Sequence, residues 1–322
     1  MGKEVEFRIS EIWKARHRIA PYARHTPLLY SPAQSERCRA PIYLKMECWQ
    51  TCGCFKIRGA SNMVAALSQE ERQRGLVTTS SGNHGIALAY AATFFGRPAV
   101  RVFMPLGADP TKVKKVRALG AEIVFSGVTY AEAYEQAQTF VAATGATYVH
   151  SHAHPWIIAG QGTIGLEILE DLPDVERIVV PIGGGGLISG IAAAVKAYSP
   201  GVHILGVEPE AAPGAFLSLR DGVAHERIET QKSIADGLLG GFGGLPFSIS
   251  RELIERVALV SDQEIVPAMK LLQKEEHLMV EAAAAVGLAA ILAGKVELNG
   301  QKTVIILTSR NIDAVKYQEL VQ

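Results

Sequence analysis

The chain has 322 residues, 48% of them hydrophobic and 20% charged, with 32 basic side chains against 32 acidic ones. That length and composition fit one large or two modest globular domains with sizeable cores. A formal net charge of zero leaves no electrostatic footprint for nucleic acid or an anionic membrane, so neither is expected as a partner.

The start, Met1-Gly2-Lys3-Glu4-Val5-Glu6-Phe7-Arg8, is charged and has no apolar signal core. Strand-like apolar runs follow at 42–45, 76–79, 99–104, 121–125, 147–150, 177–181, 203–207 and 303–307. Helical periodicity is predicted between them, as at 83–95, 110–119, 130–144 and 187–198. The longest apolar stretch, 278–293, carries Glu281 near its beginning; it is too short for a membrane span and reads as a buried helix. Such alternation predicts an α/β fold, with parallel sheets covered by helices on both faces. All four cysteines, Cys38, Cys48, Cys52 and Cys54, fall early in the chain without the usual spacing of metal ligands. Reduced thiols and a cytoplasmic location are the expectation, and no metal is assigned.

Lys56 is the most informative residue. It stands between the Gly53 turn and the apolar run from Ala60 to Leu67, near a helix start and in partly desolvated surroundings. Desolvation lowers an ammonium pKa, as an amine needs if it is to act as nucleophile or base near neutral pH. A surface lysine opening a helix is the plainer alternative.

Three loops follow strand-like runs. Ser80-Ser81-Gly82-Asn83-His84-Gly85 opens a helix with small and hydroxyl-bearing residues, suited to a carboxylate or phosphate, or simply to N-capping. Gly183-Gly184-Gly185-Gly186 lets backbone amides close round an anion; four glycines cost too much chain entropy for a merely structural turn. Thr308, past the last strand, either aims a hydroxyl into a cleft or makes a local turn. The segment from Gly184 to Glu208 also imitates a dinucleotide fingerprint, so a nicotinamide oxidoreductase is a rival reading. That motif begins late, lacks the standard third-glycine spacing, and leaves Lys56 and the Ser-Gly-Asn loop unexplained.

In this order the motifs resemble the fold-type II pyridoxal-phosphate enzymes, in the serine/threonine dehydratase and serine racemase branch. The resemblance runs through Arg24-His25-Thr26-Pro27-Leu28, Phe55-Lys56-Ile57-Arg58-Gly59-Ala60, the Ser81 loop, Ala159-Gly160-Gln161-Gly162-Thr163, the tetraglycine loop and Ile234-Ala235-Asp236-Gly237. It implies a large cofactor-binding domain from residues 1–65 and 152–322, a small inserted domain at 66–151, and a homodimer or higher homo-oligomer. It also implies pyridoxal 5'-phosphate carried by Lys56, with Phe55 on its ring, Asn83 at its 3-oxygen and Thr308 at its ring nitrogen. Gly183, Gly184, Gly185, Gly186 and Leu187 would bind the phosphate. Ser81, Gly82, Asn83 and His84 would receive a substrate carboxylate, Lys56 would be the base, and Ser81 could be an acid on the opposite face. The implied reaction is β-elimination from a β-hydroxy amino acid, L-threonine or L-serine, giving a 2-oxo acid and ammonia. The alternatives are a racemase, or a dehydratase for a bulkier or acidic substrate.

The chain departs from the family at several points. Cys52-Gly53-Cys54 replaces Thr-Gly-Ser, giving weaker hydrogen-bond partners on that side. Ser309-Arg310 replaces two glycines, so Arg310 is expected to add bulk and charge near the ring. His152 stands in a segment that could face the substrate side chain, or is a satisfied loop histidine. Glu208 and the Ala212 carbonyl match two ligands of a family cation, but Gly214 stands where the third, an aspartate, is usual. The segment 130–136 has no arginine of the kind racemases carry there, which favours the dehydratase. No regulatory extension is read after the core, so a catabolic enzyme is expected.

Overall fold

The computed structural model describes residues 7–322; the charged start at 1–6 lies outside them. Among the described residues there are two sheets. The larger has the order β1-β2-β10-β7-β8-β9, with β1 at Leu28–Tyr30, β2 at Ile42–Lys45, β7 at Arg177–Pro181, β8 at His203–Pro209, β9 at Arg256–Val260 and β10 at Thr303–Ile306. Every pairing in it is parallel except β1 with β2. The smaller sheet is all parallel in the order β5-β4-β3-β6, from Glu122–Phe125, Val100–Met104, Leu76–Thr79 and Thr147–Tyr148. The chain thus enters the large sheet, builds the small one, and returns.

Side-chain alternation explains why the central strands are apolar throughout. Val179, Leu205 and Ile305 pack toward the helices Asp262–Glu276 and Ala282–Leu292, through residues such as Met269 and Leu288. Their neighbours Ile178, Val180, Val304 and Ile306 pack on the other face, toward Ile164, Ile168, Ile188 and Ile191 of the helices Pro155–Asp171 and Gly186–Tyr198. A strand buried on both faces loses the polar half of its pattern.

Differences from the sequence reading lie mostly at element ends and in β1 and β9. The helix expected over 278–293 begins only at Ala282, because Glu281 is its N-cap in extended conformation. The Glu281 carboxylate is held there, accepting from Asn83 Nδ2 at 2.8 Å and from the Asn311 amide at 3.0 Å. The helix expected over 83–95 ends at Ala92.

Two contacts position the helix Lys56–Ala66. At Gly59 and Gly160 it crosses the helix Pro155–Asp171 so closely that a Cβ on Gly160 would lie 2.6 Å from the Gly59 Cα. Beside the crossing, the buried Arg58 guanidinium reaches Glu47 Oε1 at 2.7 Å and Oε2 at 2.8 Å, and Glu167 Oε1 at 2.6 Å and Oε2 at 2.8 Å. Lys45 Nζ adds a third cation contact, 2.7 Å from Glu167. Paired forks of this kind compensate charges that would be costly to bury alone.

Candidate active site

The carboxyl ends of β3, β7 and β10 and the start of the helix Lys56–Ala66 surround one cavity of about 210 Å³. Strand ends of open α/β sheets are where such folds take ligands. Phe55, Lys56, Ser81, Asn83, His84, His152, Gly183, Gly184, Gly185, Gly186, Leu187 and Thr308, all singled out from sequence, line it. Gly82 does not: the Lys112 side chain covers it, and a Cβ there would lie 2.1 Å from Lys112 Cδ.

Lys56 is the first residue of its helix, and its Nζ donates to the Ser151 carbonyl at 2.9 Å. Burial pulls its pKa down to about 8, because a desolvated ammonium loses its hydration. Ser151 is itself held: its hydroxyl lies 3.4 Å from the Tyr130 hydroxyl and 2.9 Å from His152 Nδ1. Burial also pulls His84 down to about 3 and His150 to about 4, with the Lys56 charge adding to both shifts, so these imidazoles are neutral at pH 7. His84 Nε2 sits 3.3 Å from the Val149 carbonyl, and its Nδ1 is buried without a protein partner.

In the loop after β3 the two serines divide their work. The buried Ser80 hydroxyl accepts from the amides of Gly82 at 3.0 Å and Gly85 at 3.1 Å, which fixes the turn into the helix Asn83–Ala92. Ser81 makes neither bond and is exposed at the cavity wall. Asn83 donates to Glu281 and accepts from Asn311 Nδ2 at 2.7 Å, so protein groups engage both ends of its amide.

After β7, Gly185 takes φ +90 and the helix Gly186–Tyr198 begins. Among the described residues, the amides of Gly183, Gly184, Gly185, Gly186 and Leu187 donate to no protein acceptor. The loop also packs tightly: a Cβ on Gly184 would lie 2.3 Å from the His152 ring. On the opposite wall Thr308 is buried, and its carbonyl accepts from the Phe55 amide at 3.1 Å. Ser309 joins the lining, whereas Arg310 turns outward, exposed and away from the cavity. The expectation that Arg310 crowds the site is therefore corrected; its amide donates to the Gly53 carbonyl at 2.9 Å and directs the side chain to solvent.

Sequence reasoning missed Lys112, Ser151 and the contact role of Glu281. Lys112 Nζ lies 2.9 Å from Glu281 and 3.2 Å from Asp236, and these carboxylates hold its ammonium above the ordinary range although burial works against it. No local motif marks Lys112; only folding brings it over Gly82. Glu208 is fully buried, and its carboxylate accepts from the Ala215 amide at 2.8 Å and the Phe216 amide at 3.0 Å. Burial pushes its pKa up to about 8.

Residues 19–309 match the family described as pyridoxal-phosphate dependent enzyme. The chain belongs to that family. Among curated relatives of this pyridoxal-phosphate enzyme, the L-threonine ammonia-lyase of Thermotoga maritima is 44% identical over 306 residues, covering 95% of this chain and 76% of that one. A serine racemase of Oryza sativa is 39% identical over 310 residues, covering 95% and 91%. Among solved structures, maize serine racemase superposes with a TM-score of 0.91 at 36% identity, covering 98% and 97%.

Pyridoxal phosphate fits the residues present. Five amides without acceptors at the start of a 13-residue helix suit a phosphate, since they and the helix dipole both favour an anion. Lys56, with its lowered pKa, is an amine ready for an aldehyde at the same cavity.

Proposed function

We propose that the protein is an ammonia-lyase that removes the β-hydroxyl and amino groups of L-threonine or L-serine, releasing a 2-oxo acid and ammonia. The observation that carries this reading is Lys56: a half-buried amine with a pKa lowered to about 8, between an anion cradle and a hydroxyl-lined loop. The relatives named above, an L-threonine ammonia-lyase and a serine racemase, support this class of substrate. The absence of any arginine in 130–136 favours the dehydratase over the racemase.

Gly183, Gly184, Gly185, Gly186 and Leu187 would hold the cofactor's phosphate, with Phe55, Asn83 and Thr308 round its ring. When bound, pyridoxal phosphate supplies an electron-withdrawing ring that acidifies the amino acid at Cα. Lys56 Nζ takes that proton; its lowered pKa keeps a useful fraction of neutral amine near pH 7. Ser81, free of the capping work that Ser80 does, receives the substrate carboxylate together with His84 and can present a proton from the opposite face. Thr308 offers a neutral hydroxyl where a carboxylate would enforce a charged ring nitrogen, and this favours prompt loss of a β-leaving group. His152, at the cavity wall beside Ser151, faces the substrate side chain.

The same reading takes residues 66–151, which contain the four-stranded sheet, as the inserted domain. Residues 1–65 and 152–322 are then the cofactor-binding one. It also takes the enzyme as a cytoplasmic homo-oligomer; no helix among the described residues is long and apolar enough to cross a membrane. The test is to incubate protein and pyridoxal phosphate with L-threonine and L-serine, then assay ammonia, 2-oxo acid and the D-isomers. Ammonia and 2-oxo acid in equal amounts are expected. D-isomer as the main product would make the enzyme a racemase, and neither product would overturn the reading.

A further inference from the structure

Two thiols lie beside the cavity in a place the reaction above leaves unused. Cys52 Sγ and Cys54 Sγ stand 3.6 Å apart, directly ahead of Phe55 and Lys56. Both are free; Cys54 is fully buried and Cys52 is 9% exposed. Between them Gly53 takes φ +75, a turn suited to glycine, and a Cβ there would strike Asn311 Oδ1 at 2.6 Å. The turn is clamped from outside. Asn311 Nδ2 donates to the Cys52 carbonyl at 3.0 Å, the Arg310 amide donates to the Gly53 carbonyl at 2.9 Å, and Cys54 pairs with Ser309 in an isolated antiparallel bridge. The sulfurs are therefore held close by a fixed frame.

The two thiols are unlike. A hydrogen bond with Cys54, helped by backbone amides that include Ile57 at the start of the helix, holds the Cys52 thiol below its ordinary range. Burial pushes the Cys54 thiol up. A more acidic thiol held against a less acidic partner is the arrangement in which one sulfur reacts with oxidant and the other resolves it.

We propose that Cys52 and Cys54 form a peroxide-modified dithiol whose oxidation to an intrachain disulfide disables the neighbouring Lys56. The Cys52 thiolate attacks the distal oxygen of a hydroperoxide: an S–O bond forms, the O–O bond breaks, and the alcohol, or water from hydrogen peroxide, leaves with a proton. Cys54 then attacks the sulfenic sulfur, the S–S bond forms, and the hydroxyl leaves as water with the second thiol proton. The two sulfurs together lose two electrons and the peroxide gains them. Closing the bond draws on Cys54, whose strand partner Ser309 follows Thr308, the acceptor for the Phe55 amide. The contraction thus enters the frame that carries Phe55 and Lys56.

The test uses the full chain with its cofactor, reduced, then treated with a few equivalents of hydrogen peroxide and digested with trypsin. A loss of about 2 Da is expected in the peptide 46–56, reversed by dithiothreitol. In Cys54→Ser that loss should vanish and a dimedone adduct should appear at Cys52. A mass gain from added oxygen with no 2 Da loss would overturn the proposal. So would a 2 Da loss that persists in Cys54→Ser, since it would assign the bond to Cys48. These mass readouts do not depend on the reaction assigned to the enzyme. The last arm rests on that reading: turnover should fall at least tenfold on oxidation and return with dithiothreitol. A disulfide that forms while turnover is unchanged would overturn the coupling to Lys56.

Discussion

The Lys56 ammonium and the Ser151 carbonyl are 2.9 Å apart, and this hydrogen bond aims the amine along the cavity wall. With its pKa lowered to about 8, roughly a tenth of the amine is neutral at pH 7, against well under a thousandth at the ordinary value. Covalent capture of pyridoxal phosphate by cofactor-free protein should therefore accelerate about tenfold per pH unit up to pH 7 and level off above about 8. Stopped-flow absorbance measures it. Lys56→Ala should abolish both the capture and all turnover. A capture rate still rising steeply at pH 10 would mean that the amine is not desolvated.

Lys112 is the second lysine of the cavity, and its task differs. Its ammonium neutralises the buried Glu281 carboxylate, and its stem covers Gly82. Lys112→Met should leave Glu281 buried with only its contacts from Asn83 and Asn311. The expected cost is about 3 kcal/mol, the low end for an orphaned buried charge. Urea denaturation measures it, and KM for L-threonine should rise as the loop loosens. Adding Glu281→Gln removes the orphaned charge and should recover much of the stability. If the double variant is no more stable than Lys112→Met, packing rather than charge governs the contact.

What the sequence made legible is what is local in the chain. β7 and β10 stand out because burial on both faces makes Ile178-Val179-Val180 and Val304-Ile305-Ile306 uniformly apolar. Lys56 and the glycine loop stand out because a glycine turn and a helix start are written in adjacent residues. Lys112, Ser151 and Glu281 were not legible, since their meaning comes from contacts such as Asn83 with Glu281, which are 198 positions apart. The edge strand β1 has only three residues, all at least partly exposed, and so lacks a pattern to read. The Ala159-Gly160-Gln161-Gly162-Thr163 motif was legible as a family signature but not as physics. In the fold, Gly160 meets Gly59, and Gly162 meets Gly190, where a Cβ would lie 2.7 Å from the Gly162 nitrogen.

The glycine loop offers a test that leaves all side-chain chemistry in place. Gly184 has φ in the ordinary range, so alanine there meets no backbone strain, yet its Cβ would lie 2.3 Å from the His152 ring. Either the ring or the loop must move. Gly184→Ala should weaken pyridoxal phosphate binding by roughly tenfold to a hundredfold, a cost of about 1.4–2.7 kcal/mol. Equilibrium dialysis measures it. Unchanged affinity would mean that His152 swings aside freely and takes no part in shaping the loop.

Arg58 stands two residues from Lys56, and its contribution is to stability. Arg58→Leu keeps the bulk of the side-chain stem but leaves Glu47 without its guanidinium partner and Glu167 with only Lys45. Breaking a buried ion pair from one side costs about 3–5 kcal/mol, so the urea midpoint should fall steeply at pH 7. The pH dependence separates charge from packing. In the native protein burial works to raise the Glu167 pKa, but Arg58 and Lys45 overcome it and hold the carboxyl below its usual range. A carboxyl lowered in the folded state contributes stability above its unfolded pKa and loses it as pH falls through the folded one. In Arg58→Leu the balance tips toward burial, the folded pKa rises above the unfolded one, and acidification toward pH ~4 relieves the penalty. The stability gap between the two proteins should therefore narrow between pH ~7 and ~4. A gap that stayed constant over that range would mean that packing round the guanidinium, and not charge pairing, is what Arg58 supplies.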